Sequence, residues 1–167
     1  MINSKSKGNT FERKIANLFS ERFKSITGKD QSFRRNIDSG SFFGGSNQKR
    51  TITHDLDKAI FGDIVSPNNF VFNIECKHYA SAPSLASIFK QSCKEWDKWI
   101  DQSLQDGLSA NKQPIIIVKY NKIDELIILA QLPKDLKFII KYKNYYISTL
   151  IDFLLLDNSV FFSEEMK

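Results

Sequence analysis

Glu75-Cys76-Lys77 sets a carboxylate and an ammonium two residues apart at the end of the apolar run Phe70-Val71-Phe72-Asn73-Ile74. Successive side chains on a β-strand point to opposite faces, so Glu75 and Lys77 share one face and Cys76 takes the other. Asp63 stands upstream in Gly62-Asp63-Ile64, and antiparallel pairing through the turn Pro67-Asn68-Asn69 brings its carboxylate beside Glu75. Two converging carboxylates suit Mg²⁺, which takes a few such ligands and fills its other positions with water and phosphate oxygens. A lysine beside them can orient or help deprotonate water, or stabilise charge on a phosphorane. These are the parts for metal-assisted phosphodiester hydrolysis. The tripeptide pattern alone is not distinctive, because Glu12-Arg13-Lys14 and Glu165-Met166-Lys167 repeat it. Only Glu75 lies on an apolar strand preceded at hairpin distance by Gly-Asp-Ile. The alternative is a solvated strand face, with Asp63 a turn residue.

The elements that must position these groups follow from hydrophobic spacing. Phe11, Ile15, Leu18 and Phe19 predict a helix from Asn9 to Phe23, with Asn9 as N-cap and Gly28 as a stop. Glu12, three residues after Asn9, fits a capping arrangement as well as a reach toward the site. Ser32 to Ile37 reads as extended, so at most one of Arg34 and Arg35 faces the site; guanidinium suits bidentate phosphate contact, and plain surface charge fits equally. A Gly/Ser-rich loop follows, whose Lys49-Arg50 pair either tracks a polyanion or forms a solvated tip. Ser84 to Asp106 predicts one long helix stopped by Gly107, with Phe89, Trp96 and Trp99 as core or dimer packing rather than base-stacking platforms. Pro114 to Tyr120 reads as a buried central strand and Glu125 to Ala130 as its neighbour. Lys137 to Ile147 is strand-like, and the remainder resists assignment. This order implies an α/β layer with a mixed sheet, and the sequence has neither standard Gly-rich nucleotide-binding pattern.

With 167 residues, 41% hydrophobic and 13% aromatic, the chain fits one globular domain that needs no disulfides. Cys76, Cys93, His54 and His78 lack zinc-ligand spacing, which favours a reduced, intracellular setting. The most apolar stretch, Tyr145 to Leu156, is interrupted by Asp152, too short for a membrane span. No secretory leader is expected, so a cytoplasmic location follows, or the host cytoplasm for a phage product. A net charge of +5 is a mild bias toward polyanions.

Taken in order, Lys7-Gly8, Glu12-Arg13, Arg34-Arg35, Ser39-Gly40, Gly62-Asp63-Ile64 and Glu75-Cys76-Lys77 resemble the PD-(D/E)-x-K nuclease superfamily. Within it they are most similar to the archaeal-type Holliday-junction resolvases and related phage endonucleases. The resemblance covers the first half of the chain at motif level. It departs in a longer segment between Ser39 and Asp63 and in the part beyond Ala130. It implies a restriction-endonuclease-like fold with an αβββαβ core over about 8–130 and an extension over 131–167, within one domain, 1–167. By the same resemblance Asp63 and Glu75 are metal ligands joined by the Cys76 carbonyl, Lys77 assists the water, and Glu12 assists metal or water. Arg13, Arg34, Arg35, Ser39, Lys49, Arg50 and the helix residue Gln102 are its substrate-binding candidates. The implied activity is Mg²⁺-dependent DNA hydrolysis, with Mn²⁺ as a substitute, on branched DNA such as the four-way junctions of recombination, by a homodimer. The rival expectations are a phage-type or restriction-like endonuclease of another DNA substrate, and a non-catalytic DNA-binding module.

Overall fold

The computed structural model describes residues 4–37 and 61–163. Ser39, Lys49 and Arg50 lie outside the described residues. Helix α1 (Ser4–Arg22) carries Phe11, Ile15 and Phe19 on one buried stripe, continued by Phe23, and the short helix α2 (Lys24–Thr27) ends at Gly28 in the left-handed conformation. Asn9 lies inside α1 and is not its cap, because the helix begins five residues earlier than spacing predicts. Strands β1 (Arg34–Arg35), β2 (Ile64–Val65) and β3 (Phe72–Tyr79) follow, with antiparallel pairing that sets Ile64 opposite Ile74.

The predicted long helix is two helices, α3 (Leu85–Phe89) and α4 (Lys94–Ala110). Gln91 adopts a left-handed φ of 53° between them, and the turn is docked elsewhere in the fold. The Cys93 amide donates to the Tyr142 hydroxyl at 2.7 Å, and the Gln91 side chain accepts from the Lys143 amide. Tertiary anchoring therefore overrides helical spacing here, and Phe89, expected in core or dimer packing, is 78% exposed and so outside the core. Gly107 does not stop α4 either. A Cβ there would stand 3.0 Å from Pro114, so glycine serves the close approach of α4 to the next strand, while Asn111 makes the left-handed cap.

Strand β4 (Gln113–Tyr120) runs parallel to β3 in continuous register from Phe72↔Gln113 to Tyr79↔Tyr120, the α3–α4 segment forming the crossover that parallel strands require. Strand β5 (Leu126–Leu129) pairs antiparallel with β4. The strand-like stretch Lys137 to Ile147 holds the hairpin of β6 (Ile140–Tyr142) and β7 (Tyr145–Thr149), and the unassigned ending forms helix α5 (Leu150–Leu154) and a 3₁₀ turn at Asn158–Val160. β7 joins β5, giving the sheet order β1-β2-β3-β4-β5-β7-β6. The result is α/β with a mixed sheet between helices, as expected.

Alternation along β3 and β4 separates the two sheet faces. Ile74, Cys76, Ile115 and Ile117 meet α1 and α5, whereas Ile116, Val118 and Tyr120 meet Trp96, Trp99 and Ile100 of α4. The Trp96 indole donates to the Tyr120 hydroxyl at 2.8 Å, so its polar atom is satisfied inside the core. Phe153 and Phe161, both fully buried, close the α1 side against Phe23, Phe70 and Phe72. Fully burying each such ring stabilises the fold by about 1.5–3 kcal/mol.

Candidate active site

Asp63 is held before its carboxylate does anything. Its backbone N–H donates to the Ile74 carbonyl and its carbonyl accepts from the Asn36 amide, both at 2.8 Å. The buried Asn36 side chain adds a 2.9 Å bond to the Gly62 carbonyl. This clamp is not legible in the sequence, where Asn36 is one polar residue beside two arginines. Gly62 has φ of 77°, and a Cβ there would lie 2.7 Å from Asn73 Oδ1 and 2.8 Å from the Ile74 carbonyl oxygen. Only glycine fits both the conformation and the space. So placed, Asp63 Oδ2 accepts the Cys76 backbone N–H at 2.8 Å. A residue's N–H and C=O point to the same side of its strand, so the Cys76 carbonyl is directed to the Asp63 side as well.

Glu75, 3% exposed, and Lys77 share the α4 face of β3, as the alternation predicts. Glu75 Oε1 accepts Lys77 Nζ at 2.5 Å and Gln102 Nε2 at 2.9 Å, while Gln102 Oε1 lies 3.3 Å from Lys77 Nζ. Gln102, expected among the substrate-binding groups, is thus placed on the Glu75–Lys77 pair and fixes both. Burial, then the charge of Asp63, pushes the Glu75 carboxyl up to about 8. Burial works against the Lys77 ammonium, but the Glu75 charge and hydrogen bond outweigh it and its pKa ends above the ordinary value. One helical turn beyond Gln102 stands Asp106, which sequence reasoning missed although an i+4 spacing puts it on the same helix face. Burial first and the charge of Asp63 second raise its carboxyl.

From α1, Glu12 Oε2 accepts Arg35 Nε at 2.5 Å, and Arg35 Nη2 donates to Asn9 Oδ1 at 2.9 Å. The capping arrangement of Asn9 and Glu12 is therefore not formed. Both side chains instead hold Arg35. Burial raises the Glu12 carboxyl, the Arg35 hydrogen bond lowers it, and the Asp63 charge raises it again, which places Glu12 in the field of the same carboxylate. Arg34 and Arg13 are exposed, so of the strand pair it is Arg35 that turns to Glu12 and Arg34 that faces solvent.

The donor set fits a hard divalent cation. Among the described residues, Asp63 Oδ1 and Glu75 Oε2 accept no hydrogen bond, and no group of three or more His, Cys, Asp or Glu side chains is placed to hold a metal ion, so any cation here would rest on this pair, main-chain oxygen and water. One or two carboxylates with open positions for water and phosphate is the Mg²⁺ pattern. The raised Glu75 carboxyl has a measurable consequence. Its folded-state pKa exceeds the unfolded value, so the stability it allows is present below about pH 4.5 and is lost as pH rises through about 8. Without metal, the melting temperature should fall across that interval, Mg²⁺ should restore part of it at pH 8, and Glu75→Gln should flatten the dependence. Identical pH profiles for wild type and Glu75→Gln would remove Glu75 as the titrating group.

The family model described as "Phage putative PDDEXK endonuclease" matches residues 3–159. That span includes the β6–β7 hairpin and α5, so residues 131–159 of the part that the motifs left outside the family pattern lie within it. No curated protein and no solved structure matches the chain significantly. No helix among the described residues is long and apolar enough to cross a membrane.

Proposed function

Because the chain belongs to this phage PD-(D/E)XK endonuclease family, we propose that it is a Mg²⁺-dependent DNA endonuclease, with four-way junctions as its substrate and a homodimer as its working form. The observation that carries the reading is the convergence of Asp63, Glu75 and Lys77 at the β2–β3 hairpin, with Glu12 brought in from α1 and Gln102 from α4. Asp63, Glu75 and the Cys76 carbonyl would hold the cation. When bound, it supplies Lewis-acid stabilisation of the phosphoryl oxygens and lowers the pKa of bound water.

The chain's own residues do the rest. The Cys76 amide fixes the Asp63 rotamer, so a free carboxylate oxygen is preorganised beside β3. Lys77, whose pKa already lies above its ordinary value, presents its ammonium to the attacking water or to charge developing on the phosphate. Gln102 bonds both that ammonium and the Glu75 carboxylate, limiting the side-chain freedom that would otherwise weaken the alignment. Arg35 neutralises Glu12, and exposed Arg13 and Arg34 are available to phosphates of the flanking strand. The order of motifs from Lys7 to Lys77 supports junction resolution over other DNA substrates, and the two-fold symmetry of a junction suits a C2 dimer.

The deciding experiment is cleavage of labelled linear, forked and four-way DNA with and without Mg²⁺. Paired symmetric nicks on the four-way substrate alone are expected. Equal cutting of linear duplex would replace the junction specificity with a general endonuclease activity. Tight junction binding without cutting in Mg²⁺ or Mn²⁺ would leave only a binding module.

A further inference from the structure

A cavity of about 780 Å³ opens beside the candidate catalytic groups without containing any of them. Three of its lining residues are chain neighbours of the site: Ile64 follows Asp63, Gly107 follows Asp106, and Asn73 precedes Glu75 by two on the same strand face. Same-face neighbours on a strand are about 7 Å apart, a span that one nucleotide covers. The cavity volume lies in the ~300–1,000 Å³ range of small-molecule sites.

Its lining is mixed. Phe61, Leu108 and Pro114 give apolar walls, and the polar groups are amides and hydroxyls with a single charged residue, Lys112. The Lys112 ammonium already donates to Ser66 Oγ at 2.8 Å and to the Pro67 carbonyl at 3.1 Å. Burial lowers its pKa to about 8, which marks this wall as poorly hydrated. Asn73 is the unexplained member. It is 4% exposed, yet its Nδ2 has no hydrogen-bond partner. A buried donor left unpaired is unfavourable, and an acceptor brought into the cavity and met by a turn of the Asn73 amide would relieve it. An anion is a poor occupant, because the C-terminal turn of α4, the negative end of its helix dipole, lines this wall through Gly107, Leu108 and Ala110. A flat, neutral heteroaromatic ring with its own donors and acceptors satisfies both the amide and the apolar walls.

We propose that this cavity is a subsite for the base of a nucleotide next to the scissile phosphate, with Asn73 Nδ2 donating to a ring or exocyclic acceptor. The inference rests on the DNA-hydrolysing reading for its biological occupant, but its test does not. ¹⁵N-labelled protein is titrated by NMR with each deoxynucleoside 5′-monophosphate and, separately, with 2-deoxyribose 5-phosphate. The nucleotides should produce saturable shifts in the Asn73 side-chain amide and the Gly107 and Lys112 backbone amides at millimolar concentration, and the sugar phosphate should not. Leu108→Trp, made on the rim where the side chain is 75% exposed, should weaken nucleotide binding at least ~10-fold. Equal shifts with the sugar phosphate, no shifts with any nucleotide, or unchanged affinity in Leu108→Trp would each overturn the subsite. DNA cleavage is followed in parallel: nucleotide shifts without any cleavage would remove the endonuclease reading and support the subsite, whereas cleavage without shifts would remove the subsite alone.

Discussion

Asp63→Asn is expected to lower Mg²⁺-dependent cleavage of DNA by at least ~10³-fold, a loss of several kcal/mol of transition-state stabilisation. The substitution is nearly isosteric and leaves an oxygen to accept the Cys76 amide, so the hairpin should keep its geometry and the melting temperature should hold. What disappears is the negative charge of the carboxylate proposed to hold the cation. DNA binding should survive or tighten, because one negative charge no longer repels phosphate. Glu75→Gln should behave in the same way. Lys77→Ala should also stop turnover but leave metal binding intact, since an ammonium cannot be a ligand. Near-normal Mg²⁺-dependent cutting by Asp63→Asn and Glu75→Gln would take both residues out of the site. Loss of metal binding in Lys77→Ala would mean that the lysine acts by shaping the Glu75 pocket.

The second large effect is expected from a residue with no functional group. Gly62→Ala forces a left-handed conformation on an L-residue, at about 1–2 kcal/mol, and drives its Cβ against the Ile74 carbonyl oxygen 2.8 Å away. That oxygen cannot simply move aside, because it accepts the Asp63 amide. The strain must be relieved by shifting the segment that carries Asp63, and a displacement of about 1 Å at a reacting centre can cost ~10²-fold in rate. Gly28→Ala is the control, since φ there is 64° but nothing lies within 4 Å of the added carbon. Both variants should lose the backbone contribution, about 2–4 °C in melting temperature per kcal/mol for a chain of this length, and only Gly62→Ala should also lose cleavage. Equal behaviour of the two variants in both measurements would show that the close packing at Gly62 does not position Asp63.

The strand residues of the site were legible because their placement is a local matter. A period of two puts Glu75 and Lys77 on one face wherever the strand goes, and the short Pro67-Asn68-Asn69 turn returns the chain so that Asp63 meets β3. The strand character of Pro114 to Tyr120 was legible for the same reason, from a continuous apolar run. Helix α1 was found by its i+4 stripe, but its beginning was not, since Asn9 has the chemistry of a cap and is used instead to hold Arg35.

The remaining features depend on contacts between residues far apart in the chain, to which periodicity is blind. The break at Gln91 exists because the turn is bonded to β6 and its hairpin, some fifty residues on. Gly107 resembles a helix stop until Pro114 is seen packed against it. The aromatic ending is unreadable alone because Phe153 and Phe161 meet each other but need far more than one another to be enclosed, and they become core only when Phe23, just after α1, and Phe70 and Phe72, just before and at the start of β3, close over them. Alternation and a turn thus suffice to put Glu75 and Lys77 together on β3 and Asp63 at the hairpin partner. Packing across the fold is what ties Glu12 to Arg35, spans Glu75 and Lys77 with Gln102, clamps Gly62 with Asn36, and brings Asp106 into the same electrostatic field. Those four placements follow from how α1, β1 and α4 pack on the sheet, and packing is set by burial of whole faces rather than by any residue's neighbours in sequence.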